Sequence, residues 1–331
     1  MLYVGLDVHK EFCQASVLDE NGEERSNIKI PTRKEELESF LSGFDEAKFV
    51  LESTGVWEFV YEIVESKGFE VVLAHPMKVK AISSAKIKTD KVDARTLAQL
   101  LRMDMIPASH VPEKHVRDLR GLVRHRKALV EKSTSFKNRV KAELLRRGIR
   151  RPEALKTSWS GRSIEWMRTL GISVVNSNLD VIEALQVQIK SVNDQLIPEY
   201  WKNENAMIIS SMPGIGYYGA MLIALEIDDV HRFASAQQLC SYAGLVPSVH
   251  QSSTVTYHGP ITKQGSRHLR WILTEAVLIH VANEPDSKLT DFFRRLTKKK
   301  GKQVATVATA RKMLTVLYWM LIKKEEFKVT G

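Results

Sequence analysis

Apolar residues in the first hundred positions recur with two different periods, and the switching between them predicts an α/β domain. Leu2 to Leu6 and Phe12 to Leu18 are apolar runs of strand length, and Asp19-Glu20-Asn21-Gly22 is a hairpin signal leading to a third strand near Ser26 to Ile30. After Pro31-Thr32 the period lengthens, so that Leu37, Phe40 and Leu41 share one side of a helix. Lys48 to Glu52 returns to strand and is closed by Ser53-Thr54-Gly55. A helix from Val56 to about Ser66, ended by Gly68, precedes a strand at Phe69 to Ala74, and a further helix runs from near Asp90 to Met103. An antiparallel opening followed by helix-linked strands calls for a mixed sheet.

Beyond this domain the strand period disappears. Pro112 to about Arg147 reads as one long helix, with Leu119, Leu122, Leu129, Val130, Phe136, Val140 and Leu144 spaced between charges. Glycines and polar residues interrupt Trp159 to Asn178. A second helix, Leu179 to Leu196, carries Ile182, Leu185, Ile189 and Val192 and is expected to stop at Pro198. Two such helices suit an antiparallel hairpin, an oligomerising coiled coil or plain core packing. From Met207 the chain reads mainly helical, with an irregular stretch at Gly244 to Gly265. Ser210-Ser211-Met212-Pro213-Gly214-Ile215-Gly216 looks like the turn of a helix-hairpin-helix, where the backbone N–H groups around Gly214 and Gly216 could meet a phosphate. The resulting division is 1–106, an α/β domain; 107–200, a basic helical linker; and 201–331, a mainly helical domain.

Composition is ordinary for a globular chain: 44% hydrophobic and 27% charged residues over 331 positions, enough to bury a core and too ordered in pattern for wholesale disorder. No apolar run reaches the roughly 18 residues needed to span a bilayer, so a cytoplasmic protein with no membrane partner is expected. Cys13 and Cys240 are too few for a disulfide framework. The formal charge of +10 is uneven: Met1 to Glu113, Lys114 to Arg151, Pro152 to Ser287 and Lys288 to Gly331 carry −6, +11, −4 and +9. Two basic zones alternating with two acidic ones are the footprint of a polyanion, with nucleic acid the leading partner. Arg120, Arg124, Arg126, Lys127, Lys137 and Arg139 of the long helix, with Lys263, Arg267 and Arg270 further on, are the expected phosphate contacts.

Acidic residues fall at informative places. Asp7 ends the first strand and Glu52 ends Phe49-Val50-Leu51-Glu52, while Asp90 and Asp93 lie three apart at a helix start and so share one helical face. Asp90 alone would also make a good N-cap. If that helix packs over the sheet, four carboxylates converge, and their repulsion calls for cations; Mg²⁺ or Mn²⁺ takes oxygen ligands of this kind and supports phosphodiester chemistry.

The blocks Val4-Gly5-Leu6-Asp7-Val8-His9-Lys10, Leu51-Glu52-Ser53-Thr54-Gly55 and Thr89-Asp90-Lys91-Val92-Asp93-Ala94-Arg95 resemble the DEDD transposases of bacterial and archaeal insertion sequences, RuvC-like recombinases related to the Piv DNA invertases. The likeness continues through Met212 to Gly216, Tyr242-Ala243-Gly244-Leu245-Val246-Pro247, Gln251-Ser252 and Ile261 to Arg270. It implies an RNase H/RuvC-like first domain whose acids Asp7, Glu52, Asp90 and Asp93 hold Mg²⁺. It implies a C-terminal serine nucleophile, here Ser252, that forms a covalent enzyme–DNA intermediate, with Ser253 standing where the family usually has glycine. It also implies donor and target DNA as substrates, an element-encoded guide (bridge) RNA, and a homo-oligomer, dimer or tetramer. Other readings of the residues are a RuvC-like junction nuclease that uses water, a sugar-kinase or actin-like ATPase opening on Val4 to His9, and a non-catalytic nucleic-acid binder. His250 and His258 lie near Ser252 in sequence; the sequence around it supplies no other base.

Overall fold

The computed structural model describes residues 1–83, 89–155, 157–252 and 255–328, and the chain divides into two compact units, Met1–Val111 and Pro112–Gly331. In the first unit, β1 (Leu2–Val8), β2 (Phe12–Leu18) and β3 (Glu24–Pro31) form an antiparallel meander. There follow α1 (Lys34–Leu41), β4 (Ala47–Glu52), α2 (Trp57–Ser66), β5 (Glu70–Ala74), α3 (Pro76–Ile82) and α4 (Asp90–Arg102). The five strands lie in the order β3-β2-β1-β4-β5, with β1, β4 and β5 mutually parallel. This is the mixed sheet that the pattern predicts. The seven-residue α3, opened by Pro76 at its start, is an element the apolar spacing does not signal.

The strand period of two sorts side chains onto two faces. Val4, Leu6, Val8, Phe49 and Leu51 pack with Leu37, Leu41, Val60, Ile63 and Val64 of α1 and α2. Val50 faces the other way and packs with Leu97, Leu100 and Leu101 of α4. Gly5 explains how close α4 comes. A Cβ built there would lie 2.5 Å from the Ala98 amide nitrogen and nearer still to the Ala94 carbonyl oxygen, so helix backbone rests directly on the strand.

The second unit opens with α5 (Lys114–Arg146), followed by α6 (Gly161–Thr169) and α7 (Ser173–Lys202). Helices α5 and α7 pack antiparallel: Val140 meets Leu179 and Ile182 near one end, and Val123 joins Val192 and Leu196 near the other. The apolar stripe read from the sequence is thus used within the chain. Pro198 does not stop α7, which continues to Lys202. A proline removes one donor near a helix end, and the adjoining turn survives because Leu196 is fully buried and Tyr200 also packs against the core.

Helices α8 (Glu204–Ser210), α9 (Tyr217–Ile227) and α10 (Ala236–Tyr242) lead to a hairpin of β6 (Pro247–Ser252) and β7 (Val255–Ile261). The sequence pattern predicts only irregular chain there; proline, glycine and serine hide a short ladder whose strand formers are Val249, Val255, Thr256 and Tyr257. Helices α11 (Arg267–Asn283), α12 (Lys288–Lys300) and α13 (Lys302–Lys323) complete a core in which α9 is buried along nearly its whole length. Both cysteines are buried thiols. Among the described residues no helix is long and apolar enough to cross a membrane.

Candidate functional site

Asp7 sits one residue before the end of β1, and Glu52 ends the neighbouring parallel strand β4, whose Leu51 is in register with Leu6. By the same period of two, Asp7 shares the face of Gly5, and Glu52 shares that of Val50, the face covered by α4. The start of α4 is set by Thr89, whose hydroxyl accepts from the Val92 amide at 3.3 Å. Thr89 therefore takes the N-cap role that the sequence also allows to Asp90, and Asp90 becomes the first helical residue with its carboxylate turned to other use.

What these elements bring together is a cluster of three donors. Nε2 of His9 lies 3.1 Å from Oδ2 of Asp7 and 3.5 Å from Oδ1 of Asp90. One ligand atom from each of Asp7, His9 and Asp90 lies within 4.8 Å of the others. Burial pushes the Asp7 carboxyl above the usual aspartate range; His9 pulls it back, and the charges of Asp90 and Asp93 push it up again. Asp93 is thus electrically part of the site, whereas Glu52 is not one of the three clustered donors. A half-buried carboxylate crowded by two others is a place where a divalent cation relieves a real conflict. Two carboxylates suit Mg²⁺, and the imidazole suits Mn²⁺ better, so the donor set fits either ion.

His9 is the member of the cluster that acid spacing does not pick out. The signal for it is its place two residues after Asp7: in Asp7-Val8-His9 the two side chains leave a strand end on one side. Its ring also packs on Phe12, with centroids 4.7 Å apart, and Nζ of Lys29 lies 3.4 Å from the Phe12 ring centre.

In the second unit the backbone of Ser252 ends β6, paired with Val255 of β7, and His250 and His258 belong to the two strands of the same hairpin; Ser253 lies outside the described residues. Several basic residues expected at phosphates have partners inside the protein. Nε of Arg120 donates to the Leu225 carbonyl at 2.5 Å, and Nε of Arg124 donates to the buried Glu226 carboxylate at 2.7 Å, with Nη2 also 2.7 Å from the same oxygen. Arg126 lies over Tyr218 and donates to Asn193; Lys127 lies over Trp271 and pairs with Glu131. Lys137 and Arg139 approach Trp159 and Phe136. Nη1 of Arg270 donates to the Ala243 carbonyl at 2.9 Å, while Arg267 is exposed and Lys263 adopts a left-handed backbone.

The glycine turn divides similarly. Gly214, at φ +97°, touches α11 so closely that a Cβ would lie 2.6 Å from the Ala276 oxygen, whereas a Cβ on Gly216 would meet open space. Gly214 is committed to helix packing, and Gly216, the N-cap of α9, is the member of the pair left open.

Similarity to known families extends over both units. A family model for transposases of the DEDD type matches residues 4–147, and a model for transposases of the IS116/IS110/IS902 family matches residues 206–291. Both matches are to transposases of insertion sequences. The chain belongs to the IS116/IS110/IS902 transposase family. It is 24% identical to the transposase of insertion sequence IS1111A from Coxiella burnetii, over 98% of this chain and 91% of that one. It is 26% identical to the IS1533 transposase of Leptospira borgpetersenii, over 94% and 93%, and 27% identical to the pilin gene-inverting protein of Moraxella bovis, over 84% and 81%. Membership in a transposase family implies DNA cleavage and strand transfer.

Proposed function

We propose that this chain moves an insertion sequence by divalent-metal-dependent cleavage of DNA, with Ser252 as the nucleophile and Asp7, Glu52, Asp90 and Asp93 as the acids of a RuvC-like site. The observation that carries the metal half is the convergence of Asp7, His9 and Asp90 donors within 4.8 Å, with Asp93 raising the Asp7 pKa from close by. A bound Mg²⁺ or Mn²⁺ ion would supply charge neutralisation and polarisation at the phosphodiester. Asp7 and Asp90 would hold that ion, and His9 fixes the orientation of the Asp7 carboxylate through its 3.1 Å contact. Glu52, at the end of the neighbouring strand β4, would be the fourth acid.

The Ser252 hydroxyl attacks phosphorus, one strand end becomes esterified to the serine, and the displaced sugar oxygen leaves and is protonated. Arg267, Lys263 and Arg270, close to Ser252 in the chain, supply positive charge toward the backbone of donor and target DNA. Guidance by an element-encoded bridge RNA and assembly as a homo-oligomer belong to the same reading. The decisive experiment traps the covalent adduct on labelled element-end DNA. Ser252→Ala should abolish the adduct while nucleic-acid binding persists. An unchanged adduct overturns the serine assignment, and cleavage that persists with no adduct in any serine variant identifies hydrolysis by water instead.

A further inference from the structure

Away from the acids, the second unit holds a cavity of about 170 Å³ beside the C-terminal end of α5 and the start of α6. Trp159, Trp166, Leu144 and Leu145 give it apolar walls, Lys141 and Arg151 are its charged members, and among the described residues no acidic side chain lines it. Leu145 is 80% exposed, an aliphatic side chain left in water at the edge of an indole-lined slot. Arg151 is held in place by donating from Nη1 to the Ser158 hydroxyl at 3.1 Å, and Nζ of Lys137 stands 5.5 Å from the Trp159 ring centre. The nearby Glu143 is occupied by Arg146 and Arg147, which hold its carboxyl down at about 2, so its charge is already matched.

Size and chemistry select the occupant. The cavity is smaller than the roughly 300 Å³ at which pockets for drug-sized ligands begin, so it admits a single planar ring system. Indole walls favour a flat π-face, and cations beside them favour a ring that brings its own anions. A nucleobase with its flanking phosphates has that combination, and a base inside a duplex does not, because its faces are already stacked. Cleavage and transfer of DNA strands, on which this inference rests, is a setting in which unpaired bases can arise. We propose that this cavity receives one unpaired base of single-stranded DNA between Trp159 and Trp166, with the adjoining phosphates against Lys141 and Arg151.

The full-length protein is titrated with a single-stranded thymidine oligomer about 15 nucleotides long, with a duplex of the same length and with the matching RNA oligomer. Trp159→Leu and Trp166→Leu, checked for retained helicity and melting temperature, should each bind the single-stranded DNA about tenfold more weakly and the duplex within about twofold of wild type. Because both indoles also pack on the α5–α7 core, two further readings are independent of folding. The surface variant Lys141→Gln should weaken the same complex in a salt-dependent way. A 5-iodouracil oligodeoxynucleotide, photo-cross-linked to the wild-type protein, should attach to Trp159 or Trp166. Cross-links found only elsewhere, folded leucine variants with unchanged single-strand affinity, equal weakening of duplex and single strand, or pocket-dependent binding confined to RNA would each overturn the proposal. These readouts record binding, so a failure of the Ser252 assignment leaves them intact.

Discussion

Gly5 carries more of the candidate site than any acid, although it has no chemistry of its own. Its missing side chain lets the Ala94 and Ala98 backbone rest on β1, which is what brings the carboxylates of α4 toward Asp7. Gly5→Ala should therefore destabilise the first unit by about 1–3 kcal/mol through overpacking and displace α4 from the strand. In calorimetric Mn²⁺ titration it should bind about tenfold more weakly, as when a supporting residue is removed, with Asp7→Asn as the reference for removal of a ligand. A folded Gly5→Ala protein with unchanged affinity would detach α4 from the metal site. Tyr218 gives a second test at this scale. Burial pushes its phenol from an ordinary 10 up to about 12, and its hydroxyl donates to the Val123 carbonyl at 2.8 Å. A raised folded-state pKa means that the folded chain keeps a proton the unfolded chain has lost. The contribution of Tyr218 to stability is complete below about pH 10 and falls away as pH rises toward 12. Ultraviolet titration should show one late tyrosine phase, absent from Tyr218→Phe.

Among the elements, α5 shows why a basic helix cannot be read as a nucleic-acid surface residue by residue. Arg120 and Arg124 reach the C-terminal end of α9, where carbonyls at a helix end and the buried Glu226 need donors, and Ser266 at the head of α11 donates to the same carboxylate at 2.8 Å. Arg124→Ala leaves a carboxylate that is 1% exposed without its cation, and urea denaturation should register a destabilisation of about 3 kcal/mol. Glu226→Gln, which removes the charge together with its partner's need, should cost less. The strands of the first unit and α4 are legible in the sequence because apolar runs of strand length, the hairpin turn and the cap-bearing Thr89-Asp90 segment are local signals. What stays hidden depends on residues far along the chain. Pro198 is tolerated because of packing around Leu196 and Tyr200, the β6–β7 ladder because each strand stabilises the other, and the inward turn of Arg124 because Glu226 lies 102 residues away. The convergence of Asp7 with Asp90 follows from element ends; the entry of His9 shows only once its ring is seen beside both carboxylates.

For the molecule as a whole, the surplus of eleven positive charges between Lys114 and Arg151 is divided between internal work and outward display. Lys132, Arg139 and Lys141 are exposed, whereas Arg120 is largely held within the unit. Glutamate substitutions at these three exposed positions should reduce the slope of log affinity against log salt by about 1 for each phosphate that is no longer neutralised, with metal binding unchanged. A slope unchanged after all three would move the polyanion surface to the C-terminal tail, where Lys298, Lys299 and Lys300 close α12. The close seating of α4 on Gly5 also sets a clock on synthesis. Asp7 and Asp90 are 83 residues apart. At roughly 5–20 residues per second, a ribosome delivers the second half of the acid cluster about 4–17 s after the first. During that interval the emerging chain carries Asp7 on a strand that α4 does not yet cover, so the proposed metal site cannot assemble until α4 has left the exit tunnel and docked.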